Sequence, residues 1–139
     1  MDTALTTLLP TPTRDQIQRL QEAMTPLQVP LPDPVHHFAP GIYLRELTVP
    51  AGMLIVGKRH KTDHFIIVTK GKAEVISEFG RDIVQAGFLA LSRAGIKRVA
   101  LALEDTTFIT IHANESDTQD IDLIETKCCL LYTSPSPRD

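Results

Sequence analysis

The rhythm of apolar and polar positions changes near residue 41. Before that point, Ile17, Leu20 and Met24 recur on one helical face, and Thr13 and Gln16 have capping-box spacing. This pattern predicts a short helix over 13–24, ended by Thr25-Pro26. Pro30, Pro32 and Pro34 then predict extended chain. From Gly41 onward, short β-branched runs predict strands over 42–49, 53–56, 65–69, 73–79, 88–91, 96–103 and 106–112. Turns are expected at Pro50-Ala51-Gly52, Lys70-Gly71-Lys72, Gly80-Arg81-Asp82, Ala94-Gly95 and Glu104-Asp105. This spacing is that of a β-sandwich or barrel. After His112 the chain turns acidic, and Ile121, Leu123 and Ile124 give that segment one side to bury.

Proline and glycine mark the same boundaries. Residues 1–40 hold seven of the ten prolines, and all seven glycines lie between Gly41 and Gly95. The expected organisation is an N-terminal arm with a short helix (1–40), a barrel (41–113) and an acidic segment (114–127). Residues 129–139 resemble the in-frame translation of a sequencing adapter, so 128–139 are expected to be a non-native tail. Both cysteines lie there, so thiol usage in 1–127 says nothing about compartment.

Composition narrows the class. The 139 residues are 42% hydrophobic and 22% charged, ordinary for a globular domain. A net charge of -3 argues against a general nucleic-acid binder. No apolar run approaches the roughly 18 residues of a membrane span, so no membrane association is expected. No phosphate-binding glycine loop, nucleophile elbow or zinc ribbon is present in the sequence.

One segment carries candidate chemistry. From Gly52 to Gly71 the chain resembles the first motif of the cupin superfamily, G-x5-H-x-H-x3,4-E-x6-G. His60 takes the second histidine position, Lys58 stands at the first, and His64 stands at the glutamate. Gly87 and Gly95 fit the glycines of the second motif, where Arg93, Arg98 and Ala102 replace its proline, histidine and asparagine. The resemblance covers about 41–112 and implies an all-β fold, a single jelly-roll barrel behind the proline-rich arm. It also implies a homodimer. The segments His36-His37-Phe38-Ala39-Pro40-Gly41-Ile42-Tyr43, Val56-Gly57-Lys58-Arg59-His60-Lys61, Thr69-Lys70-Gly71 and Glu104 to His112 are similar to small cupin-like proteins of tailed bacteriophages and prophages. That similarity implies a bacterial host cytoplasm or a virion as location, with a phage or host protein as partner.

Three readings of the site stay open. His60 and His64 lie on one wall if the strand runs unbroken, with His112 as a third ligand across the barrel. Such a set suits a divalent transition metal, zinc, iron, nickel or manganese. Asp63 joins it if it turns inward. The first reading is a non-enzymatic cupin that binds a small ligand or metal, with an accessory structural or host-interaction role. The second is a metal-dependent oxygenase or sugar isomerase, with Glu46 or Lys58 as acid/base. The third is a metal-free, epimerase-like catalyst with His60 as base. Lys58 and Arg98 suit a small anionic ligand. A barrel filled by Phe65, Ile67 and Leu89 would leave no room for one. His36 and His37 could line the barrel mouth or bind metal between subunits, and are expected first as an exposed pair on the arm.

Overall fold

The computed structural model describes residues 32–57 and 60–128, with Thr13, Asp15, Gln16 and Arg19 in the arm. Lys58 and the segment 129–139 lie outside the described residues. Among the described residues, nine antiparallel strands form two sheets. They are β1 (Val35–Ala39), β2 (Ile42–Val49), β3 (Leu54–Val56), β4 (His64–Lys70), β5 (Lys72–Ser77), β6 (Gly80–Gln85), β7 (Leu89–Ser92), β8 (Arg98–Ala102) and β9 (Thr106–Ala113). One sheet runs β1-β2-β9-β4-β7, the other β3-β8-β5-β6. A helix, α1 (Ile121–Cys128), follows. The described strands form a single jelly roll.

Alternation sets which side chains face the space between the sheets. Leu47 and Val49 of β2, Val68 of β4, Ala73 of β5, Val84 of β6, Ala100 and Ala102 of β8, and Phe108 of β9 form one buried cluster. Parity then sends Tyr43 and Arg45, His64 and Ile66, Arg98, and Thr110 and His112 inward toward one end. Phe65, Leu89 and Leu91 take the opposite parity and are exposed. Phe65, Ile67 and Leu89 therefore do not fill the barrel; they stand on its outer face.

Gly71 links β4 to β5 where no other residue fits. Its φ is +84°, and an added Cβ would stand 2.1 Å from the Asp105 carbonyl oxygen.

Three elements differ from the expectations. Val35–Ala39, read as arm, is edge strand β1, because Pro40 and Gly41 make a tight hairpin that pairs Ala39 with Ile42. Gly80-Arg81-Asp82, read as a turn, is paired strand, the turn lying at Glu78-Phe79. The acidic segment ends in α1, which Asp120 caps by accepting the Asp122 N–H at 3.1 Å. Ile124 is its buried residue, packed with Ile121 against Tyr43 and Phe38, while Leu123 is 51% exposed. The expected capping box is present in the arm. The Thr13 N–H donates to Gln16 Oε1 at 2.8 Å, and the Gln16 N–H to Thr13 Oγ1 at 3.2 Å.

Candidate metal centre

His60, His64 and His112 meet at the inner end of the barrel. Phe65 pairs with Ile111, which sets His64 beside His112 one step further along the ladder. Their rings stack with centroids 4.7 Å apart. His60 comes from the loop between β3 and β4, with its ring 4.1 Å from His64 and 5.2 Å from His112. Shared strand parity does not place it there, because β3 ends at Val56 and β4 begins at His64. The loop is pinned instead. The Gly95 N–H donates to the His60 carbonyl at 2.9 Å.

Asp63 completes that pinning from outside. Its Oδ1 accepts the Ala94 N–H at 2.8 Å, and its Oδ2 pairs with Arg93 at 3.2 Å. The Ala94 bond is the main cause holding the Asp63 carboxyl below its usual range. Asp63 thus does not turn inward. It ties the β7–β8 loop to the loop carrying His60.

The chemistry of the trio is that of neutral nitrogen donors. Burial first, then the fields of His64, His112, Arg45 and Arg98, lower His60 to about 3. Burial first, then His64 and Arg45, lower His112 to about 4. His64 is lowered as well, chiefly by burial, with Thr62 and Asp63 opposing. The imidazoles are therefore unprotonated near pH 7, the form that binds metals. His112 Nε2 hydrogen-bonds Thr110 Oγ1 at 3.0 Å. The Nδ1 atoms of His64 and His112 are buried without a hydrogen-bond partner. An orphaned buried acceptor is costly, and a metal bond relieves that cost. One ligand atom from each histidine lies within 4.8 Å of the others. Tetrahedral zinc holds its nitrogens about 3.4 Å apart, so rotamer adjustment must draw the rings inward. The residues fit a divalent transition ion bound by three histidines.

The other expected site residues divide between the faces. Arg98 points inward and donates from Nη1 to Ser92 Oγ at 2.6 Å. Glu46, expected as a ligand-binding or acid/base group, lies on the opposite face of β2 from Tyr43 and Arg45. There it pairs with His37 at 3.0 Å. Odd and even positions of β2 face opposite ways, which excludes Glu46 from the centre. The expected pair His36-His37 is split by the same rule. His36 turns inward and joins Tyr43 Oη through Nδ1 at 2.6 Å. Sequence reasoning missed Tyr43 and Arg45. Tyr43 is buried and stacks on His112 at 5.8 Å. Strand parity with Leu47 was the signal that placed both on the inner face.

No protein-family model and no curated protein sequence matches the chain. Solved structures do. A cupin-2 domain protein from Shewanella frigidimarina superimposes with a TM-score of 0.51 at 16% identity, over 68% of this chain and 92% of that one. The fold is that of the cupins. KdgF from Halomonas gives 0.51 at 18% identity, over 65% of this chain and 80% of that one. Ectoine synthase from P. lautus gives 0.53 at 12% identity, over 62% and 66% of the two chains. Among the described residues, no helix of this cupin-fold chain is long and apolar enough to cross a membrane.

Proposed function

We propose that the protein is a metal-binding cupin in which His60, His64 and His112 hold a divalent transition ion that takes a small ligand. The observation that carries this reading is the pair of orphaned Nδ1 atoms within a converging trio. Three protein ligands leave a coordination position open, as in sites that accept a substrate. A bound ion supplies Lewis-acid polarisation of a ligand oxygen. The protein's own residues hold the ligand end in place. Thr110 orients His112, the Asp63–Ala94 bond fixes the His60 loop, and Tyr43 with Ile124 closes one side against water.

Of the two acid/base groups expected for an oxygenase or sugar isomerase, Glu46 faces away and Lys58 lies outside the described residues, so the reading supported by the placed residues is ligand binding. The metal-free epimerase reading is disfavoured by basicity. A general base works best with a pKa near the working pH, and His60 at about 3 is far below it. The likeness to phage proteins supports a role in a bacterial host cytoplasm. A homodimer is the expected assembly, and the exposed Phe65, Leu89 and Leu91 offer an apolar face for it.

The test is metal content by mass spectrometry on purified protein, beside His60→Ala and His64→Ala. Near-stoichiometric zinc, iron, nickel or manganese in the parent, lost in both variants, is the expected result. A parent without metal after refolding with each ion overturns the reading.

A further inference from the structure

We infer that the small ligand of the three-histidine centre carries an oxyanion, a carboxylate or a phosphate, gripped between Arg45 and Arg98. The inference deepens the proposed function and rests on the same centre.

The two arginines come from opposite sheets, Arg45 from β2 and Arg98 from β8. Arg98 shares the inner face of β8 with the buried Ala100 and Ala102. Its Nη1 donates to Ser92 Oγ, and Ser92 is the cross-strand partner of His64. Arg98 is thereby held beside one histidine of the trio. Arg45 shares the inner face of β2 with Tyr43 and Leu47. Its cross-strand partner is Thr110, the residue bonded to His112 Nε2. Arg45 is thereby beside a second histidine.

Among the described residues, no carboxylate pairs with Arg45 or Arg98. Asp63 is taken by Arg93, Glu46 by His37, and Glu74 lies 4.0 Å from Arg81. The fields of both arginines reach His60 and disfavour its protonation, and burial pulls Arg98 below its ordinary range. A half-buried cation with no carboxylate beside it is costly, and a bound oxyanion reduces that cost. The donors supply several N–H groups in planar forks, which match carboxylate and phosphate oxygens. A divalent ion on neutral imidazoles adds two further positive charges and no negative one. Among the described residues the centre is thus short of negative charge, with metal or without.

The experiment titrates inorganic phosphate, and separately sodium acetate, into metal-free and cobalt-loaded full-length protein. Calorimetry and the visible cobalt spectrum give the readouts, with potassium chloride as the ionic-strength control. Saturable binding of at least one probe is expected. Phosphate alone identifies a phosphoryl ligand, and acetate alone a carboxylate. Arg45→Gln and Arg98→Gln should each weaken binding at least about tenfold, the scale of a lost charge-assisted hydrogen bond. Arg45→Lys and Arg98→Lys, which keep the charge and lose the fork, should fall between and stand in if a glutamine variant does not fold. Failure of cobalt to load while arginine-dependent binding persists removes the metal reading and leaves this one standing. Cobalt loading without saturable anion binding does the reverse. Anion binding unchanged in both arginine positions overturns the inference.

Discussion

His64 and His112 stack at 4.7 Å from neighbouring antiparallel strands, and each buries an Nδ1 that no hydrogen bond satisfies. In a metal-free fold this pair is a cost; with an ion bound, both nitrogens gain a partner. Ligand linkage then raises stability by about 2.7 kcal/mol at a hundredfold excess over Kd. For a chain of this size that is a melting-temperature rise of roughly 5–15 °C. Differential scanning calorimetry with and without zinc should show it for the parent and not for His112→Ala. A rise of equal size in His112→Ala would place the ion elsewhere.

Stability should also depend on pH through the same residues. His60 and His112 titrate at about 3 and about 4 in the fold, against the ordinary 6.5 in the unfolded chain. Above pH 6.5 both states leave these rings neutral, and they contribute no slope. Below it the unfolded chain binds protons that the fold does not, so stability falls as pH drops toward 4. Urea denaturation of the metal-free protein at pH 8, 6 and 4.5 should give a falling midpoint, with most of the loss below 6. In His60→Ala the fall should be shallower. An identical pH slope in the variant would contradict the burial of this ring.

Gly71 tests the geometry of the β4–β5 link. Gly52 has a similar φ of +86° with open space around it, whereas Gly71 faces the Asp105 carbonyl at 2.1 Å. Gly52→Ala should cost about 1–2 kcal/mol, the ordinary penalty of a left-handed conformation. Gly71→Ala should cost at least about 3 kcal/mol, because backbone must also move. Equal midpoints in chemical denaturation would show that the link has slack.

Asp63 should act on the centre without touching it. Asp63→Ala removes the Ala94 bond and the Arg93 pair, both at the surface. The melting curve should change little, because exposed pairs contribute little. Zinc affinity, read by competition with a chelating dye, should fall by about 10–100-fold, the range seen when supports of metal ligands are lost. Unchanged affinity would mean that the Gly95–His60 bond alone fixes the loop.

Two neighbours on α1 should respond differently. Ile124 is 3% exposed against Tyr43, and Leu123 is 51% exposed. Ile124→Ala should cost about 2–4 kcal/mol through the cavity it leaves. Leu123→Ala should stay within about 0.5 kcal/mol of the parent. Comparable losses in urea denaturation would mean that the helix packs on both faces.

Much of the barrel is written in local pattern. The alternation in Ile42–Val49 specifies a half-buried strand, and the structure gives β2 those same bounds. The glycine spacing from Gly52 to Gly71 fixes where turns fall, because few other residues adopt their backbone. Thr13 and Gln16 specify a cap through contacts three residues apart. His60 and His64 are legible as a site by residue type and spacing. Other features are not local. β1 and β6 are short strands whose apolar content is too low to announce them; pairing with β2 and β5 makes them strands. The α1 helix owes its place to Ile124 finding Tyr43, 81 positions earlier in the chain. Parity puts Glu46 outside and Arg45 inside, yet only the closed sheets show what each side of β2 faces. The meeting of His112 with His60 depends on the β4–β9 ladder and on a loop held by Gly95 and Asp63. The sequence thus determined the residue chemistry, the strand rhythm and the turns, which depend on near neighbours. The tertiary structure decided which of those chemistries share one space, because that depends on contacts between residues far apart in the chain.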